Sequence, residues 1–96
     1  MKIVTKDAIN RFIELHPDSK NAMNRWFMTT TTRSWQSFQE IKETFNSVDY
    51  VKNDLYVFNI KGNDYRVARI FFKPQLVYIR FIGTHAEYDK VDLSTL

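Results

Sequence analysis

The run Tyr78-Ile79-Arg80-Phe81-Ile82-Gly83-Thr84-His85-Ala86-Glu87-Tyr88-Asp89 changes period halfway along. Tyr78–Ile82 alternates apolar and β-branched residues around one arginine, which predicts a strand. Gly83 is expected to end it, since glycine weakens a strand interior and suits a sharp exit. His85 and Tyr88 then stand three apart, so a helical turn puts both on one face. Two preceding strands are expected to bring Lys61, Arg66 and Arg69 close. Cations for a phosphate, an imidazole and a phenol are thus collected in one neighbourhood.

Upstream, the alternation extends back through three more strands. Tyr50–Lys52 is followed by the turn Asn53-Asp54 and then by Leu55–Ile60. In that strand Tyr56, Phe58 and Ile60 share one face, with Val57, Asn59 and Lys61 on the other. Gly62-Asn63 suits a tight hairpin because both residues accept positive φ. Tyr65–Phe72 makes the next strand. Lys73-Pro74-Gln75 turns the chain, since proline cannot donate within a ladder. On Leu76–Ile82, Val77, Ile79 and Phe81 form an apolar face, which leaves Tyr78 and Arg80 on the open one. Tyr65–Phe72 is less regular: Arg66 aligns with Ala68 and Ile70, and Arg69 with Val67 and Phe71. Either one arginine sits near a rim or the strand carries a bulge; the reading taken here puts Arg66 on the open face beside Arg80.

The first half is helical. Ile3-Val4 suits a short edge strand, with Thr5 as N-cap and Asp7 in the first helical turn. Ile9, Phe12 and Ile13 mark a buried stripe, and His16-Pro17 closes the helix. Asp18 or Ser19 caps a second helix with the stripe Met23, Trp26 and Phe27. It is expected to fray at Thr29–Thr32, a β-branched run of low helix propensity. Ser37 with Glu40 three residues on predicts a capping box for a third helix, lined by Phe38, Ile41 and Phe45, with Trp35 packed beside it and Asn46 near its end. Asp92–Leu96 reads as a tail, ordered only if it docks on the sheet. The expectation is one α+β domain over residues 1–96: N-terminal helices covering one face of an antiparallel sheet of about four strands.

Composition narrows the chemistry. Without cysteine, and with only His16 and His85 as imidazoles, disulfides and thiolate metal centres are excluded and a zinc site is not expected. The N-terminus lacks an apolar secretory core, and no apolar run approaches the ~20 residues that cross a bilayer. A soluble cytoplasmic protein without a membrane partner is the default expectation. The net charge is +3. Between Lys61 and Arg80, however, Lys61, Arg66, Arg69, Lys73 and Arg80 face only Asp64, a local +4. Such a patch attracts a phosphate backbone, or simply guards a sheet edge against aggregation.

Val57-Phe58-Asn59-Ile60-Lys61-Gly62-Asn63, Tyr65-Arg66-Val67 and Tyr78 through Lys90 together resemble the HigB family of toxins, within the RelE-like mRNA interferases of bacterial type II toxin–antitoxin modules. His16-Pro17-Asp18, Trp35-Gln36-Ser37-Phe38 and Ile41-Lys42 extend the likeness over nearly the whole chain. Thr29–Thr32 and Arg69 match no position of the family's pattern. The resemblance implies an endoribonuclease that cuts mRNA, usually on the translating ribosome. It also implies inhibition by a HigA-like helix-turn-helix antitoxin.

Metal-free RNA cleavage, with no cofactor, uses the ribose 2′-OH as nucleophile. A base takes its proton, the oxygen attacks the adjacent phosphorus, and an acid protonates the departing 5′-oxygen. Guanidinium groups suit the charge that builds on the phosphoryl oxygens. Arg66 and Arg80 are accordingly assigned to the phosphate. His85 is assigned to proton transfer, because an ordinary imidazole pKa of ~6.5 lies close to working pH. Tyr88 is a second acid or a stacking platform. Lys61, Asn59, Arg69 and Lys73 are RNA-binding candidates, and Asp89 supports His85 or an arginine. Two rivals remain from other classes. One is a non-catalytic RNA- or ribosome-binding module on the same basic face; the other is a protein-interaction domain meeting an acidic partner.

Overall fold

The computed structural model describes residues 1–61 and 64–96, and for residues 64–67 the backbone alone. The hairpin expected at Gly62-Asn63 lies outside the described residues. In chain order the elements are β1 (Lys2–Ile3), α1 (Lys6–Leu15), a 3-10 turn (Pro17–Ser19), α2 (Lys20–Thr31), α3 (Phe38–Thr44), β2 (Val48–Lys52), β3 (Leu55–Ile60), β4 (Asp64–Phe71), β5 (Leu76–Thr84), α4 (His85–Asp89) and a 3-10 turn (Leu93–Thr95).

The sheet has five strands in the order β1-β5-β4-β3-β2. It is therefore mixed: β1 runs parallel to β5, and the other neighbours are antiparallel. The four expected strands are present, and the fifth is the two-residue edge strand. Where β1 stops, Thr5 continues the edge. Its hydroxyl accepts from the Ile79 amide (2.8 Å) and donates to the Ile79 carbonyl (3.4 Å). Thr5 thus caps the sheet and makes no side-chain cap for α1.

The helical layer follows the stripes. Ile9, Phe12, Met23, Trp26, Trp35 and Ile41 meet Val48, Tyr56, Phe58, Ile60, Ala68, Ile70, Val77 and Ile79 in the main core. Trp26 packs edge-on against Phe58 at 5.3 Å, a geometry that adds about 1 kcal/mol to the burial itself. Trp35 is buried as expected, its indole donating to Thr44 Oγ1 at 3.1 Å. Ser37 accepts from the Glu40 amide (3.4 Å), the forward half of the expected box. The threonine run does not fray. α2 continues to Thr31, Thr30 is buried, and the hydroxyls of Thr31 and Thr32 donate to the carbonyls of Met28 and Thr29. Packing of Met23 and Trp26 in the core holds α2 together despite the modest propensity cost of β-branching, and the exposed threonine hydroxyls bond the preceding turn.

Between β2 and β3, Asn53 and Asp54 adopt φ of 49° and 64°, the paired left-handed residues of a tight hairpin turn. The β4–β5 pair holds the main departure from strict alternation. Val67 pairs with Phe81 and Ala68 with Ile79, so Arg80 is the extra residue of a bulge. Val77 and Ile79 face the helices, but Phe81 joins Leu55 and Val57 on the opposite side. The apolar face expected to run through Phe81 thus ends at Ile79.

That opposite face is partly covered. Tyr88 from α4, with Leu93 and Leu96 from the C-terminal segment, packs over Leu55, Val57 and Phe81. The segment read as a conditional tail is docked, and the sheet lies between two unequal layers.

Candidate functional site at the end of the sheet

Strand β5 runs past Gly83 to Thr84 before the helix starts. Gly83 is buried rather than terminal. A methyl group there would lie 2.5 Å from Phe81 Cζ and 3.2 Å from Glu87 Cβ. Glycine suits this position because the Phe81 ring and α4 both close over its backbone. Thr84 then begins α4 with a reciprocal capping box. Its amide donates to Glu87 Oε1 (2.9 Å), and its hydroxyl accepts from the Glu87 amide (3.3 Å). The Thr84 amide bond is the main reason the Glu87 carboxyl is held below its ordinary pKa. Partial desolvation opposes this, and the nearby charges of His16 and Lys90 reinforce it.

This cap fixes the first turn, and α4 presents three of the candidate residues. His85 Nε2 lies 3.3 Å from Asp89 Oδ2, one helical turn on, with both side chains more than half exposed. Tyr88 sits on the sheet side of the same helix, its ring 6.4 Å from that of Phe81. An imidazole, a carboxylate 3.3 Å from it and a phenol are therefore held on one short element.

Pairing locates the other candidates. Asn59 of β3, Tyr65 of β4 and Gly83 of β5 form one row across the sheet. Asn59 is exposed there, two strands from Gly83 or ~10 Å at the usual strand spacing. The next row is Phe58, Arg66 and Ile82, so the Arg66 backbone passes beside the base of α4. The Arg66 side chain, and its expected place on the open face, lie outside the described residues. Arg80 is exposed at the bulge, where it lines a groove with Ala8, Arg11, Phe12 and Leu15 of α1.

The remaining cations stand apart from α4. Lys61 adopts φ of 54° and turns to the helical layer, where its ammonium donates to the Asp18 carbonyl and carboxylate, the latter at 3.1 Å. That contact is the main reason the Asp18 carboxyl lies below its usual range. Arg69 is half-buried beside the C-terminal segment and donates to the Leu96 carbonyl at 3.3 Å. Lys73 is exposed in the β4–β5 turn, at the far end of the hairpin from α4. The seven residue steps between those ends span ~23 Å. RNA contacts by Lys73 and chemistry at His85 would therefore involve well-separated parts of one bound strand.

Arg11 carries no expectation from the sequence, and His16 is expected only to close α1. His16 stacks on Phe12 at 4.5 Å and lies close enough to act on Glu87. The i, i+4 spacing of Phe12 and His16 was visible, but not that β5 and α4 would meet that end of α1.

Residues 19–91 match the family described as HigB toxin, a RelE-like toxic component of a toxin–antitoxin system. The chain is 35% identical over 92 residues to the mRNA interferase toxin HigB of Escherichia coli K12, covering 93% of this chain and 88% of that protein. An mRNA interferase HigB of Shigella flexneri matches with the same identity and coverage. The mRNA interferase HigB of Escherichia coli O6:H1 is 28% identical over 94 residues, 95% of this chain and 91% of the relative.

Proposed function

This chain belongs to the HigB family of RelE-like toxins, and from that membership we propose how it acts as the mRNA-cleaving toxin of a toxin–antitoxin pair. It is an endoribonuclease whose reaction is attack of a ribose 2′-OH on the adjacent phosphorus, carried out at the α4 end of the sheet. His85 transfers the proton, and Asp89 holds the ring in position. Tyr88 serves the departing 5′-oxygen or stacks on a flanking base. Arg66 and Arg80 stabilise the charge on the phosphoryl oxygens, and Asn59 contacts a flanking nucleotide. The observation that carries this reading is the short helix itself: a capping box sets its first turn, and His85, Asp89 and Tyr88 project from that one fixed element.

The message is cut in association with the translating ribosome, and a HigA-like antitoxin restrains the toxin. The exposed Lys73 and Arg80 support a ribonucleoprotein target, because phosphate attraction is the sequence-independent part of RNA binding. Primer extension on a defined message, with and without ribosomes and with and without the antitoxin, tests both statements. Wild-type protein is expected to leave discrete 5′ ends on translated message, and His85→Ala to leave none. RNA binding without new ends would reduce the protein to a non-catalytic binding module. Equal cutting with and without ribosomes would remove the ribosome from the reaction.

A further inference from the structure

Helix α1 and the outer edge of β5 enclose an open groove of about 450 Å³. Its lining has two guanidinium groups, Arg11 and Arg80, beside the apolar Phe12, Leu15, Ile79 and Ile82. No carboxylate lines it among the described residues. Leu15 is 77% exposed on its rim. β1 pairs with Leu76 and Val77, and Thr5 closes the edge at Ile79, so the groove opens where that cover stops. It also adjoins the α4 site. Arg80 and Phe81 belong to the same strand that delivers His85, and Phe81 carries the Tyr88 ring.

We propose that this groove is a binding track for single-stranded RNA flanking the cleavage point, with Arg11 as a phosphate contact. This rests on the nuclease reading above and extends it to a residue on a different element. The chemistry is that of single-strand recognition: cations follow the backbone while bases lie on aromatic, apolar or guanidinium surfaces. Arg80 lies four strand steps before Thr84, ~13 Å, so a strand held here continues into the α4 site. A protein segment filling the same groove is the competing occupant. The two cations with no lining carboxylate, and continuity with the α4 site, favour a polyanion.

The test uses the full chain and a labelled single-stranded RNA of mixed sequence, 2′-O-methylated throughout so that it binds without being cut. Affinity is measured from 50 to 300 mM salt for wild type, Arg11→Ala, Arg11→Lys and the control Lys20→Ala, each first shown to melt like wild type. Loss of one phosphate contact is expected to lower the salt slope by ~0.7 and to weaken low-salt binding several-fold in Arg11→Ala. Arg11→Lys should recover most of both effects. On cleavable message, Arg11→Ala should raise KM more than it lowers kcat. An unchanged slope in Arg11→Ala, or an equal loss in Lys20→Ala, overturns the proposal. So does loss of antitoxin binding with RNA affinity intact, which would make the groove a protein site. If wild type shows Arg11-dependent RNA binding but cuts no message, the nuclease reading fails while the groove assignment stands.

Discussion

His85 Nε2 and Asp89 Oδ2 lie 3.3 Å apart across one turn of α4. On the reading proposed above Asp89 positions the imidazole through this contact, and the two substitutions should separate accordingly. His85→Ala is expected to slow message cleavage by ~10²–10⁴-fold, the range contributed by a positioned proton-transfer group. Asp89→Asn should cost only roughly fivefold, because an exposed pair contributes at most ~1 kcal/mol. Single-turnover rates on a defined message read both. Equal losses in the two variants would mean that Asp89 does more than orient the ring.

Gly83 offers a test of how the site is built. A β-carbon there meets Phe81 Cζ at 2.5 Å, and Phe81 carries Tyr88. Gly83→Ala should destabilise the protein by ~1–3 kcal/mol, the usual cost of overpacking. It should also lower cleavage beyond what the unfolded fraction explains, since α4 rides on the displaced ring. Adding Phe81→Leu removes the colliding atom, so the double variant should melt higher than Gly83→Ala alone, a coupling that a double-mutant cycle measures. If the two effects simply add, the collision is not what matters at this position.

Much of this arrangement could be read from residue spacing. The helical stripes, the Asn53-Asp54 turn and the faces of β3 each follow from local period, and the i, i+4 separation of His85 and Asp89 permits their contact. What escaped was non-local. A bulge inserts one residue without altering the residue types around it, so Val77, Ile79 and Phe81 look continuous although Phe81 crosses the sheet. Lys61 reads as a free strand cation because its partner, Asp18, is 43 residues away. The edge strand expected at Ile3-Val4 forms at Lys2–Ile3, and its parallel pairing with β5 is not visible in the local pattern. The threonine run misleads for a related reason: propensity speaks for the isolated helix, whereas burial of Thr30 is decided by the assembled core.

The Glu87 cap gives the site a pH dependence with a definite sign. The folded carboxyl titrates below its ordinary value of 4.5, chiefly because the Thr84 amide bonds the ionised form. Its contribution to holding α4 is therefore fully present above that ordinary value and is lost as pH falls through the lower, folded one. Amide protection factors in α4, corrected for the intrinsic exchange rate at each pH, should fall on acidification before those of the β3–β4 core. Glu87→Gln keeps an acceptor at the box position but cannot ionise. That variant should show α4 protection that no longer varies across the acid range. If α4 in Glu87→Gln remains as pH-sensitive as in wild type, another group governs the helix.

Tyr88 has two separable properties, a ring seated near Phe81 and a hydroxyl that can carry a proton. Tyr88→Phe keeps the first and removes the second, whereas Tyr88→Leu keeps neither the hydroxyl nor the aromatic face. If the phenol protonates the departing 5′-oxygen, Tyr88→Phe should lose ~10²-fold or more in kcat with little change in RNA affinity or melting temperature. If the ring acts by stacking on a base, Tyr88→Phe should stay within a fewfold of wild type, and Tyr88→Leu should weaken RNA binding by ~1–3 kcal/mol. A substrate whose 5′-leaving oxygen is replaced by sulfur sharpens the distinction, because a thiolate leaves without a proton. Such a substrate should restore Tyr88→Phe toward wild-type rates if Tyr88 is the acid, and should leave His85→Ala defective if His85 is the base. Restoration of His85→Ala with no effect on Tyr88→Phe would exchange the two assignments.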